Sequence, residues 1–356
     1  MSRLASYIVI GVLRGTALVA VALVAVASVI EFAGQLDDVG IASYGLRDAL
    51  LFVALRIPHT LFRVLPAAAL IGSLLALGNM AVHRELVVMR ASGVSQYRLL
   101  GAVAAAGLVL FVVMLLLGES VAPKLGAYAR TARAEALLED VDTAAARSTF
   151  LEDGDRIIKI WRPPDAEGPG QTVRVFDLEG DTGLRAIAEG ELILPSDSDV
   201  WDIFDYAATE FGETGVTARQ SRYIQQDYGF SREILELSEM RADLLELPEL
   251  GRLIGDLEGR GLDASRYLAA YWGRIASAVS VVLMAMLALP FVLGSLRSAG
   301  AGARMIVGLV IGLAYYTFGE LSANTGEVFA LDPVVAAWAP SGVLFVVTAL
   351  AVVSLR

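Results

Sequence analysis

The chain of 356 residues contains no cysteine. That excludes disulfides, thiol nucleophiles, cysteine-ligated metals and iron–sulfur clusters. Histidine is almost as scarce: His59 and His83 are the only two, which argues against a histidine-built catalytic or zinc centre. Charge is sparse too. Asp, Glu, Lys and Arg make up 19% of the residues and hydrophobic types 56%, with a mean hydropathy of +0.62. A soluble domain carries about 25% charged residues, so this composition points to a membrane protein and away from disorder. A net charge of −11 and a pI of about 4.8 leave no basic footprint for nucleic acid. No GxxxxGK[ST] stretch occurs, so the chain has no P-loop for hydrolysing a nucleotide. No catalytic nucleophile with its base and no metal cluster stand out. The paired carboxylates Asp37-Asp38 and Glu152-Asp153 read as solvated turns.

What the sequence has in quantity is long apolar runs. They are Thr16–Ile30 (extended upstream through Tyr7–Leu13 if Arg14 is tolerated), Val64–Val82, Leu99–Gly118, Ile275–Leu296, Met305–Gly319 and Pro333–Leu355. A span needs roughly 20 apolar residues to cross the hydrocarbon, and six such runs leave too little polar surface to cover them in water. The first run is longer than the 7–15 residues or so of a cleaved signal and lacks a cleavage site. It reads as a retained helix whose Arg14 snorkels to an interface or faces protein. Gly308 and Gly312 offer a small-residue face for close helix approach. Glu320, beside the fifth run, reads either as a buried functional acid or as an interfacial one.

Charge divides the chain. Residues 119–274 hold 31 acidic and 17 basic side chains, whereas the remainder holds 8 and 11. Basic residues mark the cytoplasmic side of short loops. Arg84, Arg90 and Arg98 follow the second run, Arg297 and Arg304 the fourth, and Arg3 and Arg356 lie at the ends. With six spans all these fall on one side. The acidic middle then lies on the other, together with a loop 31–63 that sets Glu31, Asp37, Asp38 and Asp48 against Arg47, Arg56 and Arg63.

Within the acidic middle, alternating segments predict strands over 155–161, 172–178, 184–188, 191–194 and 200–207, with one or two more in 210–227. Turns are expected at Asp153-Gly154, Pro163–Gly170 and Asp181–Gly183. A sandwich or jelly roll closes so many short strands. Helix is expected over 119–140, over 249–259, and after Asp263 as its cap. Tyr267, Tyr271 and Trp272 then form an interfacial aromatic belt. The fold class is therefore a mixed membrane protein: six transmembrane helices in a 3+3 arrangement around an inserted all-β jellyroll domain. The divisions are 1–118, 119–262 and 263–356.

The segment His83–Ser95 is too short for a domain and reads as an amphipathic helix stopped by Gly93. It either lies on lipid or plugs into a cytoplasmic partner. Here the residues carry a resemblance. Arg84–Gly93 is similar to the coupling helix of the LptF/LptG (YjgP/YjgQ) permeases of lipopolysaccharide export. Phe32–Leu36, Glu119–Pro123, Pro290–Ser298 and Ala339–Ser341 resemble that family at the ends of spans 1, 3, 4 and in span 6. The LptG branch is nearer than the LptF branch, on Glu85–Met89 and the Leu296–Ser298 turn.

The resemblance implies a non-catalytic permease subunit in the bacterial inner membrane with a periplasmic β-domain. It implies no cofactor in this chain, ATP and Mg being bound by an LptB-like ATPase dimer. An LptF-like permease, an LptC-like membrane-anchored protein, an LptA-like periplasmic bridge and lipopolysaccharide are the other implied partners. Arg84, Glu85, Leu86, Met89, Arg90 and Gly93 would form the coupling segment, about 84–94, with Glu85 as the acid that meets a basic group on the ATPase. Spans 1 and 5 would line the lipid cavity. Glu31 departs from a family preference for a basic residue near this point, so Arg47, Arg56 or Arg63 would take over the headgroup contact, or the cargo is another anionic glycolipid. Permeases of other transporter classes with four spans, a non-transporting assembly protein and a lipid-modifying enzyme are the rival readings.

Overall fold

The computed structural model describes residues 3–138, 149–153, 156–161, 171–179, 183–193, 200–212, 215–227, 242, 245–259, 263–294, 300–328 and 331–354. Nine α-helices and six strands lie among them. The helices are α1 (Arg3–Gln35), α2 (Leu46–Val82), α3 (Glu85–Ala91), α4 (Gln96–Leu116), α5 (Ala122–Leu138), α6 (Leu247–Gly259), α7 (Ser265–Leu293), α8 (Ala301–Val328) and α9 (Pro333–Val353). The strands are β1 (Thr149–Asp153), β2 (Arg156–Trp161), β3 (Gln171–Glu179), β4 (Gly183–Ile193), β5 (Val200–Gly212) and β6 (Gly215–Asp227). Six of the helical segments are long and apolar enough to cross a membrane: Arg3–Asp38, Leu46–Val82, Gln96–Leu137, Ser265–Leu293, Ala301–Ala323 and Pro333–Val353. The chain separates into a helical unit (Met1–Val39, Gly45–Arg133, Leu268–Arg356) and an inserted unit (Gly40–Tyr44, Ala134–Tyr267).

The helical unit is built around α2 and α7, in each of which 61% of the most apolar window is buried, against 11% in α8. Ile8 and Val12 of α1, Leu70, Leu74 and Leu77 of α2, Leu99 and Val103 of α4, and Met284, Leu287 and Val292 of α7 belong to one buried cluster. Small residues set the closest crossings, as expected where backbones must approach. A Cβ on Gly15 would stand 2.5 Å from the Gly72 carbonyl oxygen, so α1 and α2 touch backbone to backbone there. Gly308 and Gly312 do serve as a packing face: added Cβ atoms would lie 2.7 Å from Ile71 and 2.8 Å from Ala67 of α2. The Ser341 hydroxyl donates to the Ala276 carbonyl at 2.9 Å and lies 3.2 Å from the Tyr315 hydroxyl, tying α9, α7 and α8 together.

One expectation is corrected in this unit. The segment 31–63 is not a loop. Helix α1 runs to Gln35, a 3₁₀ turn covers Leu36–Asp38, and α2 begins at Leu46, so Arg47, Arg56 and Arg63 all lie on a helix of 37 residues. Scattered charges interrupt hydropathy without breaking a helix, and Pro58 and Pro66 sit inside α2. Glu320, for which a buried and an interfacial reading are both open from the sequence, has a side chain that is 54% exposed. At the end of α4 a π-helical turn, Leu117–Val121, leads directly into α5. Gly118 in that turn lies against Phe62, 2.8 Å from an added Cβ. Of the aromatics expected at an interface, Tyr271 and Trp272 form an edge-to-face pair, and Trp338 lies 6.3 Å from Trp272.

In the inserted unit the six strands form one antiparallel sheet in the order β1-β2-β3-β4-β5-β6. The all-β character is as expected; the path among the described residues is a meander, without the crossovers of a jelly roll's Greek keys. Alternation places Ile158, Ile160, Val173, Ala188, Trp201 and Ile203 inside. The separate strands expected over 184–188 and 191–194 are one strand, β4, whose register shifts between Glu189 and Glu191. A bulge there, not a turn, breaks the alternation. Strand β1 lies outside the segments that alternation predicts as strands. Helix α6 buries Leu250, Leu253, Ile254 and Leu257, the spacing of a one-sided amphipathic helix. The Asp263 carboxylate accepts from the Ser265 backbone N–H at 2.8 Å, the expected start of α7. The Pro163–Gly170 turn and Arg297 lie outside the described residues.

Candidate functional site

The best-defined polar constellation at one end of the helical unit surrounds α3, a helix of seven residues. A helix this short does not hold itself in water, so its neighbours must. Arg84 precedes it with φ 63° and ψ 9°, a left-handed conformation that disfavours any side chain other than glycine by about 1–2 kcal/mol. It turns the chain sharply from α2 into α3. Leu86 is buried at 1% exposure in the core cluster that includes Ile8, Leu77 and Met80, and Met89 packs against the same cluster. The exit is a paired-bond cap. The Val94 N–H donates to the Met89 carbonyl at 3.1 Å and the Gly93 N–H to the Arg90 carbonyl at 3.0 Å, with Gly93 at φ 86°. This is the Schellman arrangement, in which glycine tolerates the left-handed residue.

The expected segment 84–94 is therefore a helix over 85–91 with a turn at each side. Its exposed side carries Arg84, Val87, Val88 and Arg90. Leu86, Val87, Arg90 and Ala91 line a groove of about 390 Å³ with Ala81 of α2 and Val292 and Leu293 of α7. Glu85 accepts a hydrogen bond from the Tyr7 hydroxyl at 2.9 Å. Sequence reading did not find Tyr7: the two residues are 78 positions apart, and nothing local marks the pair.

Of the headgroup candidates, Glu31 lies near the end of α1, and Arg47, Arg56 and Arg63 lie in the first half of α2, roughly 30 Å or more along that helix from α3 at 1.5 Å per residue. Glu31 pairs with Arg56 at 2.7 Å and accepts from the Thr60 hydroxyl at 3.5 Å. The Arg56 and Arg133 guanidiniums lie over the Phe52 ring at 5.5 and 5.4 Å, and Arg133 also pairs with Asp38. Arg63 donates to the Tyr316 hydroxyl, lies 5.4 Å over its ring and stands 3.9 Å from Glu320. Arg47 is exposed and makes no ion pair among the described residues. The structure thus joins Glu31 to Arg56, and Arg63 to Glu320, and leaves Arg47 apart from both.

No group of three or more His, Cys, Asp or Glu residues suited to a metal occurs among the described residues. A family model described as "Lipopolysaccharide export system permease LptF/LptG" matches residues 6–354. The chain belongs to the LptF/LptG permease family. It is 28% identical over 326 residues to the lipopolysaccharide export system permease protein LptG of Haemophilus influenzae, covering 91% of this chain and 90% of that one. It is 26% identical over 328 residues to the protein of the same name from Escherichia coli K12, covering 92% and 91%. The six apolar helices of this LptF/LptG permease make it a multi-pass inner-membrane protein.

Proposed function

We propose that this permease is the non-catalytic membrane subunit of an ABC transporter that extracts lipopolysaccharide from the inner membrane for export to the outer membrane. The observation that carries the reading is the seating of α3. Leu86 is locked into the core shared by α1, α2, α4 and α7, while Val87, Val88, Arg84 and Arg90 stay exposed. One face grips the spans and the other is available to a partner, which is the geometry of a lever. An LptB-like ATPase dimer binds ATP and Mg and carries out hydrolysis, and Glu85 meets a cation on it. Arg84 and Arg90 add polar contacts, Leu86 and Met89 root the lever, and Gly93 ends it.

Helices α1 and α8 leave large apolar residues uncovered, Leu18, Val21 and Val29 on one and Ile306, Leu309 and Leu313 on the other. Their acyl-chain-compatible faces suit a cavity completed by an LptF-like second permease. Movement of α3 narrows that cavity and displaces the lipid towards the β-domain, which lies in the periplasm and passes it to LptC-like and LptA-like partners. A second reading, another anionic glycolipid as cargo, is favoured by the Glu31–Arg56 pair, which neutralises a cation that a strongly phosphorylated headgroup would use.

Mass spectrometry of the purified complex with its bound lipid tests the proposal. An ATPase, a second permease and lipopolysaccharide are expected; a glycosphingolipid supports the second reading, and absence of any ATPase overturns both. Because the chain has no cysteine, Arg90→Cys and Glu210→Cys also report topology without background. Labelling of both from the same compartment would rule out the lever.

A further inference from the structure

Leu86 and Met89 anchor one face of α3 in the core. Glu85 is displaced from Leu86 by about 100° around the helix. An anchor at Glu85 therefore holds α3 from a second direction. The structure supplies one: the Tyr7 hydroxyl, from the second turn of α1, donates to Glu85 Oε2 at 2.9 Å. A phenol donating to a carboxylate is a charge-assisted bond, stronger than a neutral one. It occupies one oxygen and leaves the other free to accept from a cation. Ile8, next to Tyr7, is buried in the same cluster as Leu86, so the polar and apolar anchors reach the same helix. The left-handed Arg84, immediately before Glu85, gives a sharp reversal that these contacts hold in place.

We propose that Tyr7 is the positioning residue for Glu85, binding α3 to the first span so that the two move as one lever. The proposal deepens the ATPase-docking reading of α3 and rests on it for its transport consequence. The link itself is tested on the full-length chain alone in lipid nanodiscs. Hydrogen exchange is followed over 88–92, whose amides close the turns of α3. Tyr7→Phe keeps the ring and removes the hydroxyl; Glu85→Ala removes the acceptor. Each raises exchange by about fivefold, as expected for loss of a partly exposed charged hydrogen bond, and the double variant is no faster than either single one. Wild-type exchange in Tyr7→Phe, or losses that multiply in the double variant, would overturn the link.

In the assembled transporter, Tyr7→Phe lowers lipid released per ATP hydrolysed several-fold while ATP turnover persists, a split that general unfolding of the span would not produce. An unchanged ratio would overturn the lever. If Glu85→Ala leaves ATPase affinity untouched while the exchange result stands, the docking role of Glu85 fails and the Tyr7 link survives.

Discussion

The guanidinium of Arg304, on α8, lies directly against the Cα of Gly78 on α2, in space that any side chain at residue 78 would occupy. Arg304 is only 2% exposed, and its Nε and Nη2 find no hydrogen-bond partner among the described residues. Gly78→Ala therefore overpacks the α2–α8 crossing and lowers stability by roughly 1–3 kcal/mol. Combined with Arg304→Ala it adds no further loss, because the clash is gone. Arg304→Met, which keeps the volume and removes a buried charge, is neutral or stabilising. Thermal melts of the detergent-solubilised protein check all three, and additive losses in the double variant would refute the relationship.

Glu31 and Arg56 form a largely buried pair at 2.7 Å. Removing one partner therefore costs more than breaking a surface pair, and loss of Glu31 takes its carboxylate away from Arg56 beside the first span. Glu31→Gln is expected to increase crosslinking of an anionic lipid to a photoreactive group near residue 56. Arg56→Gln abolishes that increase. Equal crosslinking in wild type and Glu31→Gln would show that Arg56 takes no part in lipid contact.

Glu85→Arg reverses the charge that the docking reading assigns to an ATPase cation. Co-purified ATPase falls several-fold while the amount of the permease in the membrane is unchanged. Undiminished co-purification would remove Glu85 from the interface.

Gly93 sits at φ 86°. Gly93→Val forces a branched side chain into that conformation at about 1–2 kcal/mol and frays the Met89–Val94 turn. Proteolysis or hydrogen exchange confined to 89–95 should rise without loss of the span packing. Protection equal to wild type would contradict the cap.

The β-domain carries a pH signature at Tyr223. Its hydroxyl donates to Asp202 Oδ1 at 2.7 Å, and that bond holds the phenol above its ordinary pKa of 10.0, with burial and the Asp202 charge adding to the shift. A raised folded-state pKa means that the bond's contribution is complete below the unfolded value near 10. It is lost as pH rises through the folded value. Tyr223→Phe removes this alkaline component while keeping the ring contact with Phe204 at 5.3 Å. Melting temperatures of the two proteins should converge above pH 10; a constant gap across that range would disprove the linkage.

Span number, the presence of a β-rich insertion between spans 3 and 4 and the short helix after span 2 were readable along the chain, because each depends on local composition and period. A run such as Leu99–Gly118 needs only its own length to declare a crossing, and Glu85–Gly93 shows its helix and its stop within nine residues. The helical start of α2 was not readable, since Arg47, Arg56 and Arg63 break the apolar pattern while leaving helical hydrogen bonding intact. The continuity of β4 was hidden by a bulge that breaks the alternation used to find strands.

Pairings across distance belong wholly to the tertiary structure. Tyr7 meets Glu85, Arg56 meets Glu31, and Arg304 meets Gly78 only because helix crossings at small residues bring separate turns together. Hydrophobicity is a property each residue carries by itself, so solvent partition can be inferred from order alone. A hydrogen bond or ion pair requires two atoms within about 3–4 Å, and that coincidence exists only once the helices have packed.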